Sequence, residues 1–223
     1  PGKPNLFQLV KRVLNLVPAL KQLRLTSIDC AEINDDFWPL LNEKRLMPHF
    51  HLSLQSGNNL ILKRMKRRHS REQAISFCKK VKSLRGDVVF GADIIAGFPT
   101  ETDKMFQDSL EIIRECNLTH LHIFPYSIRE NTPAARMPQI PRDIIKKRAK
   151  TLREEGKKQM QIYLQKQIGN SAIILIEQIK ENFSYGKSQH FTKIKLMDIF
   201  KEGDLVKCMI TDCDKDILNA HII

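Results

Sequence analysis

Gly91-Ala92-Asp93-Ile94-Ile95-Ala96-Gly97-Phe98-Pro99-Thr100-Glu101-Thr102 carries an apolar, β-branched run into a turn fixed by Gly97 and Pro99. A helical pattern over residues 103–116 follows. A short β-like run, a turn and an amphipathic helix make one βα unit. The rhythm recurs on both sides. β-like runs fall at 22–28, 49–55, 87–95 and 119–125, and helical periodicity at 5–17, 35–43, 59–66, 71–84 and 103–116. Ser70 followed by Gln73 is a capping-box signature for the helix starting at 71. Strands alternating with helices predict right-handed crossovers and a parallel sheet.

A parallel strand covered on both faces should be apolar on both, and two of these are not. In 49–55, Phe50, Leu52 and Leu54 share one face, while His49, His51, Ser53 and Gln55 share the other. In 119–125, Leu121 and Ile123 oppose His120 and His122. Such a polar face suits strands lining a barrel or half-barrel with a ligand inside; an edge strand with one wet face would read the same way. The chain also opens on a helix already in the βα rhythm. Four strands cannot close a barrel, so the pattern resembles a repeat entered midway, or one preceded by a separate helix.

Lys and Arg number 37 against 25 Asp and Glu, leaving +12. That excess favours a polyanionic partner, nucleic acid being the commonest. No apolar run reaches a membrane-spanning length of about 18 residues. Pro1-Gly2-Lys3-Pro4 has neither the pattern of a signal peptide nor an initiator Met. The expectation is a cytoplasmic protein without a membrane partner. Cys30, Cys78, Cys116, Cys208 and Cys213 form no CxxC or CxxxCxxC spacing, which predicts reduced thiols and no metal-ligating residues in this chain.

Pro138 and Pro141 bound a linker, and Pro141 suits the first turn of a helix. That helix, over 141–166, carries Arg142, Lys146, Lys147, Arg148, Lys150, Arg153, Lys157 and Lys158 against Asp143, Glu154 and Glu155. Ile144, Ile145, Leu152, Tyr163 and Leu164 would dock it, and Gly156 would weaken it. After Gly169 the pattern becomes all-β: 171–177, a turn near Gly186, 190–196, a turn at Glu202-Gly203-Asp204, then 205–211 and 218–223. Several short strands in about fifty residues predict a small OB-like β-barrel, a frequent RNA-binding scaffold.

The candidate site residues sit at strand ends, where α/β and barrel proteins place ligands. Asp93 is a charge in an apolar strand and needs a ligand or a hydrogen-bonded partner. Gln55 and Ser56 could hold a ribose or an amino-acid group, or simply form a turn with Gly57. Phe124, Pro125, Tyr126 and Ser127 could flank a purine or pack into the core. The run 63–71 holds six cations; one face could bind phosphate or carboxylate, or the run could be a solvated helix end.

Taken together, these motifs resemble the radical S-adenosylmethionine (SAM) methylthiotransferase family. The resemblance rests on Leu52-Ser53-Leu54-Gln55-Ser56-Gly57, Met65-Lys66-Arg67, Asp93 to Pro99 with Glu101, Phe124 to Ser127, and Thr132-Pro133-Ala134, in the family's order. Gly186-Lys187-Ser188-Gln189-His190-Phe191-Thr192 is similar to part of its TRAM domain, a small tRNA-binding barrel. His51 to Gly57, Arg67-Arg68-His69 and Gly91 to Pro99 look most like the branch acting on N6-threonylcarbamoyladenosine beside the tRNA anticodon. The isopentenyladenosine branch usually has Pro-Val where this chain has Ser53-Leu54.

The resemblance implies an α/β fold. The last four strands of a partial (βα) radical SAM barrel would occupy 1–137, a linker and basic helix 138–167, and a TRAM-like all-β barrel 168–223. It implies a methylthio group added to C2 of the modified adenine, with SAM and 4Fe–4S clusters as cofactors. Gln55 and Ser56 would approach the ribose or methionyl part of SAM, and Arg67 its carboxylate. Ile95, Gly97 and Phe124, Pro125 and Tyr126 would flank adenine, with Asp93 near the reacting centre. Lys146, Lys147, Arg148, Lys187, His190 and Lys193 would contact tRNA. The family's cluster-binding cysteines lie upstream of everything matched here, so this chain would ligate neither cluster. It would act only with an N-terminal half and an electron donor, or persist as a non-catalytic RNA-binding relative. A small-molecule α/β enzyme with an incidental basic surface is the remaining alternative.

Overall fold

A computed structural model describes residues 5–223; the reading of Pro1-Gly2-Lys3-Pro4 lies outside the described residues. Helix α1 (Leu6–Leu16) starts where the Asn5 side chain accepts the Gln8 amide at 2.9 Å, and the Gln8 side chain returns to the Asn5 amide. Its Phe7, Val10 and Leu14 are buried at helical spacing. Strands β1 (Leu23–Ile28), β2 (Leu46–Gln55), β3 (Val89–Ala96) and β4 (Leu118–Pro125) form a four-stranded sheet in that order. Every pairing is parallel. Helices α2 (Asn59–Arg64), α3 (Arg71–Leu84) and α4 (Asp103–Glu115) lie between these strands in sequence. The Ser70–Gln73 capping box forms as expected.

The 35–43 pattern is not an α-helix. It yields a 3₁₀ turn, Trp38–Asn42, with Pro39 in its first turn. Proline lacks the amide that would extend the ladder, and the segment turns to bury Phe37 completely. Phe37 is the hub of the core, with ring centroids of Phe7 at 5.1 Å, Trp38 at 5.3 Å, Phe77 at 5.5 Å and Phe50 at 5.6 Å. Phe50, Leu52, Phe90, Ala92 and Ile94 supply the sheet's share of that core. The opposite face of β2 and β3 is left for the site.

Helix α5 (Arg142–Gln167) follows. The chain divides into two compact units, one up to Gly156 and one spanning Lys157–Ile223. In the first, Ile145, Ala149 and Leu152 of α5 are buried. Gly156 is a close-packing position rather than a weak point: a Cβ there would meet the Leu121 side chain at 3.0 Å.

The second unit is a closed five-stranded barrel, ordered β5-β6-β7-β9-β8: β5 (Ser171–Lys180), β6 (Phe183–Ser188), β7 (Lys193–Leu196), β8 (Leu205–Asp214) and β9 (Ile217–Ile222). Two details depart from the sequence reading. Gly186 is mid-strand in β6, opposite Ile176, because β5 approaches too closely for any Cβ; the Leu175 carbonyl occupies that space. The turn falls instead at Glu181 and Asn182, both with positive φ. The 190–196 run is a strand only from Lys193, since Phe191 turns at φ 65 and donates its amide to the Ser188 carbonyl. Among the described residues no helix is long and apolar enough to cross a membrane.

Candidate functional site

The parallel register places His51 beside Gly91, Gly91 beside His120, and Asp93 beside His122. Side chains two apart share a face, so β2, β3 and β4 bring His49, His51, Asp93, His120 and His122 onto one face. His51 Nε2 lies 2.9 Å from Asp93 Oδ1, and His122 Nδ1 lies 3.1 Å from the same oxygen. The His49 and His120 rings meet edge-on at 4.8 Å. Gly91 makes the cluster possible: a Cβ there would lie 2.6 Å from His51 Nδ1 and 2.7 Å from the His120 carbonyl. Asp93 thus has hydrogen-bonding partners that sequence alternation could place on its face but could not connect to it.

At the carboxyl end of the sheet, Gln55, Ile95 and Arg67 line one cleft of about 790 Å³ with Lys63, Arg64, Phe98 and Thr132-Pro133-Ala134. Gln55 sits at a register break closing β2, with φ 68 in the left-handed region. Bulges of this kind re-aim a side chain beside functional sites. Arg67 donates from Nη2 to the Ser53 carbonyl at 2.8 Å and to Asp29 Oδ2 at 3.2 Å. His69 Nδ1 lies 3.3 Å from Asp29 Oδ1, and its Nε2 lies 3.2 Å from the Leu54 carbonyl. Asp29 and His69 therefore hold the cationic run against the end of β2, a role with no local signal in the sequence.

The structure turns three expected site residues toward other parts of the protein. Ser56 is fully buried; its hydroxyl accepts the Asn58 amide at 3.2 Å and faces Ser109 of α4, because the turn after Gln55 points it inward. Gly97 (φ +74) has Ile145 of α5 in the space a side chain would need, so its Cα face packs against that helix. Arg148 is buried, donating to Glu101 Oε2 at 2.9 Å and Asp103 Oδ1 at 2.7 Å, and is withdrawn from any RNA surface. At the end of β4, Phe124 and Pro125 are exposed, while the Tyr126 amide donates to the Ala96 carbonyl at 2.9 Å and its ring packs edge-on to Phe98.

Burial raises the Glu101 pKa above its ordinary 4.5, against the opposing pull of Arg148 and the Gly97 amide. The folded state then holds this proton more tightly, so Glu101 contributes stability that is complete below 4.5 and lost as pH rises through the raised value. In Glu101→Gln this dependence should disappear. Thermal unfolding of both proteins across that window checks it; parallel curves would show that Glu101 titrates like an exposed carboxyl.

Lys146 and Lys147 are exposed on α5. In the barrel, Lys193 is exposed and His190 half-buried. Lys187 lies over the Phe191 ring at 4.0 Å and 3.8 Å from Glu177. Lys195, not foreseen, lies 3.6 Å over Phe183. Along β6, Phe183, Tyr185 and Lys187 alternate with buried Ser184, Gly186 and Ser188, giving one outward face of aromatics and cations. Such faces suit nucleic acid.

An iron–sulfur cluster does not fit this chain. Cluster ligands are thiolates that converge, and among the described residues no cysteine joins a group able to hold an ion. Burial pushes the Cys30 thiol up to about 12, and a shared hydrogen bond with Cys116 and then burial raise Cys78 well above its ordinary value. SAM does fit the cleft: Arg67 Nε is a buried donor without a protein partner, beside Gln55 and Ile95.

Residues 3–113 match the Radical SAM superfamily model. Over 70% of its length the chain superposes on coproporphyrinogen III oxidase from Escherichia coli, a radical SAM enzyme, with TM-score 0.53 and 19% identity, covering 39% of that structure. The whole chain is 46% identical to the threonylcarbamoyladenosine tRNA methylthiotransferase of Rickettsia prowazekii, covering 52% of it. An Aquifex aeolicus protein of the same name is 33% identical over 92% of the chain, which covers 50% of that relative. A tRNA-2-methylthio-N(6)-dimethylallyladenosine synthase of Rickettsia rickettsii is 31% identical over 98%, again covering 50% of the relative. The chain thus spans about half the length of these curated relatives. With the four-stranded parallel sheet, the strand-end cleft and identity sustained along its whole length, the chain belongs to the radical SAM methylthiotransferase family.

Proposed function

We propose that this chain is the carboxy-terminal portion of a tRNA methylthiotransferase that adds a methylthio group to C2 of N6-threonylcarbamoyladenosine beside the anticodon. The observation that carries this reading is the 46% identity to the Rickettsia prowazekii enzyme across the full chain, against 31% for the dimethylallyladenosine synthase of Rickettsia rickettsii. Residues 1–137 would act as the end of the radical SAM barrel, 138–167 as linker and basic helix, and 168–223 as a TRAM-type tRNA-binding barrel. Gln55, Ile95 and Arg67 would orient SAM in the cleft, with Arg67 as a fixed charged fork for a carboxylate. The exposed Phe124 ring would offer a stacking surface for a purine. Asp93, held by His51 and His122, would sit near the reacting centre. SAM and the clusters supply the radical and sulfur chemistry when bound. This chain's residues bind, orient and exclude water, and the cluster ligands and reducing electrons come from a further segment and a donor protein. Lys146, Lys147, Lys187, His190 and Lys193 would contact tRNA phosphates and bases.

The test is anaerobic co-expression with the segment encoded immediately upstream, followed by mass spectrometry of tRNA nucleosides. The expected product is methylthio-threonylcarbamoyladenosine, lost when Arg67→Ala is introduced. Soluble protein with filled clusters and no such nucleoside would leave a non-catalytic tRNA-binding relative as the better account.

A further inference from the structure

The histidine-bearing face of the sheet contains a donor set with a capacity beyond its hydrogen bonds. His51, Asp93 and His122 come from three adjacent parallel strands, and their ligand atoms all lie within 4.8 Å of one another. Two neutral imidazoles and one carboxylate are the set that holds a first-row divalent metal ion while leaving coordination positions open. With metal–ligand bonds of about 2.0–2.1 Å, neighbouring ligand atoms stand about 2.9–3.4 Å apart in octahedral or tetrahedral geometry. The two contacts to Asp93 Oδ1, 2.9 Å from His51 Nε2 and 3.1 Å from His122 Nδ1, fall within that interval. The remaining edge joins the two imidazoles, whose rings lie 4.7 Å apart at a 34° tilt. Closing it takes a rotation of the His122 ring, whose side chain is 61% exposed, about its Asp93 contact toward a buried His51.

The scaffold favours such a site over a chance surface pair. Donors on paired strands of one sheet are held more precisely than donors on loops. Gly91 leaves room for the His51 ring at the required place. Asp93 is a carboxylate with only 26% of its side chain exposed, and a cation beside it compensates its desolvation.

We propose that His51, Asp93 and His122 form a binding site for one divalent transition-metal ion of the Zn²⁺ or Fe²⁺ class. Its open positions face the exposed side of His122, where an oxygen ligand such as a carbonyl or carboxylate completes the shell. The inference does not depend on the reading of function above, and its test involves neither SAM nor RNA.

The 223-residue chain, free of affinity tags, is stripped with chelator and titrated anaerobically with Co²⁺ in the presence of a phosphine reductant. The expected result is one equivalent bound, with a ligand-field spectrum lacking thiolate charge transfer, and displacement by one equivalent of Zn²⁺. His122→Ala and Asp93→Asn should each weaken binding by more than about tenfold, whereas Cys213→Ser should leave it unchanged. His122 is exposed, so its variant keeps the wild-type unfolding temperature and reports the site alone. Folded wild-type chain that takes up no stoichiometric Co²⁺, or uptake that His122→Ala leaves intact, overturns the proposal.

Discussion

Replacing Arg148 by leucine should destabilise the first unit by about 3–5 kcal/mol near neutral pH, the usual cost of removing one partner from a buried ion pair. Arg148 Nη1 donates to both the carbonyl and the carboxylate of Glu101, at 2.8 and 2.9 Å, while Nη2 reaches Asp103 at 2.7 Å. The side chains of Arg148 and Glu101 are 8% and 1% exposed, so water cannot replace the lost donor. Glu101 Oε1 already has no partner, and only the Gly97 amide would remain on Oε2. The loss should shrink in acid, where Glu101 takes up its proton, and a second change, Glu101→Leu, should restore part of it. Urea denaturation of the single and double variants measures this. A single-variant cost below about 1 kcal/mol, the range of exposed pairs, would show that the pair is hydrated in solution.

The second large effect is expected at Gly91. An alanine there places its Cβ 2.6 Å from His51 Nδ1 and 2.7 Å from the His120 carbonyl. The imidazole can swing away, but the carbonyl belongs to the neighbouring strand and moves only if the β3–β4 pairing shifts. Overpacking of this kind costs about 1–3 kcal/mol. The chemical consequence should exceed the thermodynamic one, because His51 can no longer reach Asp93. Co²⁺ affinity should fall as far as in His122→Ala while most of the fold survives. Wild-type affinity in a folded Gly91→Ala chain would place the ion elsewhere.

Much of this architecture was legible without coordinates. The four β-like runs became β1 to β4 with ends moved by at most three residues, and the helix over 71–84 matched α3. Periodicity records which residues face a core, and capping side chains act within one turn. The alternation of histidines along β2 and β4 likewise announced a polar face. Errors arose where a distant segment overruled a local preference. Pro39 and the buried Phe37 turned a helical pattern into a 3₁₀ turn. Close approach of β5 made Gly186 a strand residue although glycine so often marks turns. The charge pattern of α5 predicts a basic surface, yet Arg148 faces inward because Glu101 and Asp103 meet it there.

The sequence alone carried the βα rhythm of β1 to β4, the change to an all-β pattern after Gly169, the family resemblance and the candidates Gln55, Arg67 and Asp93. These depend on spacing along one strand, one turn or one helical face. Tertiary structure decided which candidates share a site. Parallel register set His51 and His122 against Asp93, the bulge at Gln55 aimed it into the cleft with Arg67, and the turn beyond it buried Ser56. Register and burial belong to pairs of segments far apart in the chain, and no single segment encodes its partner's position.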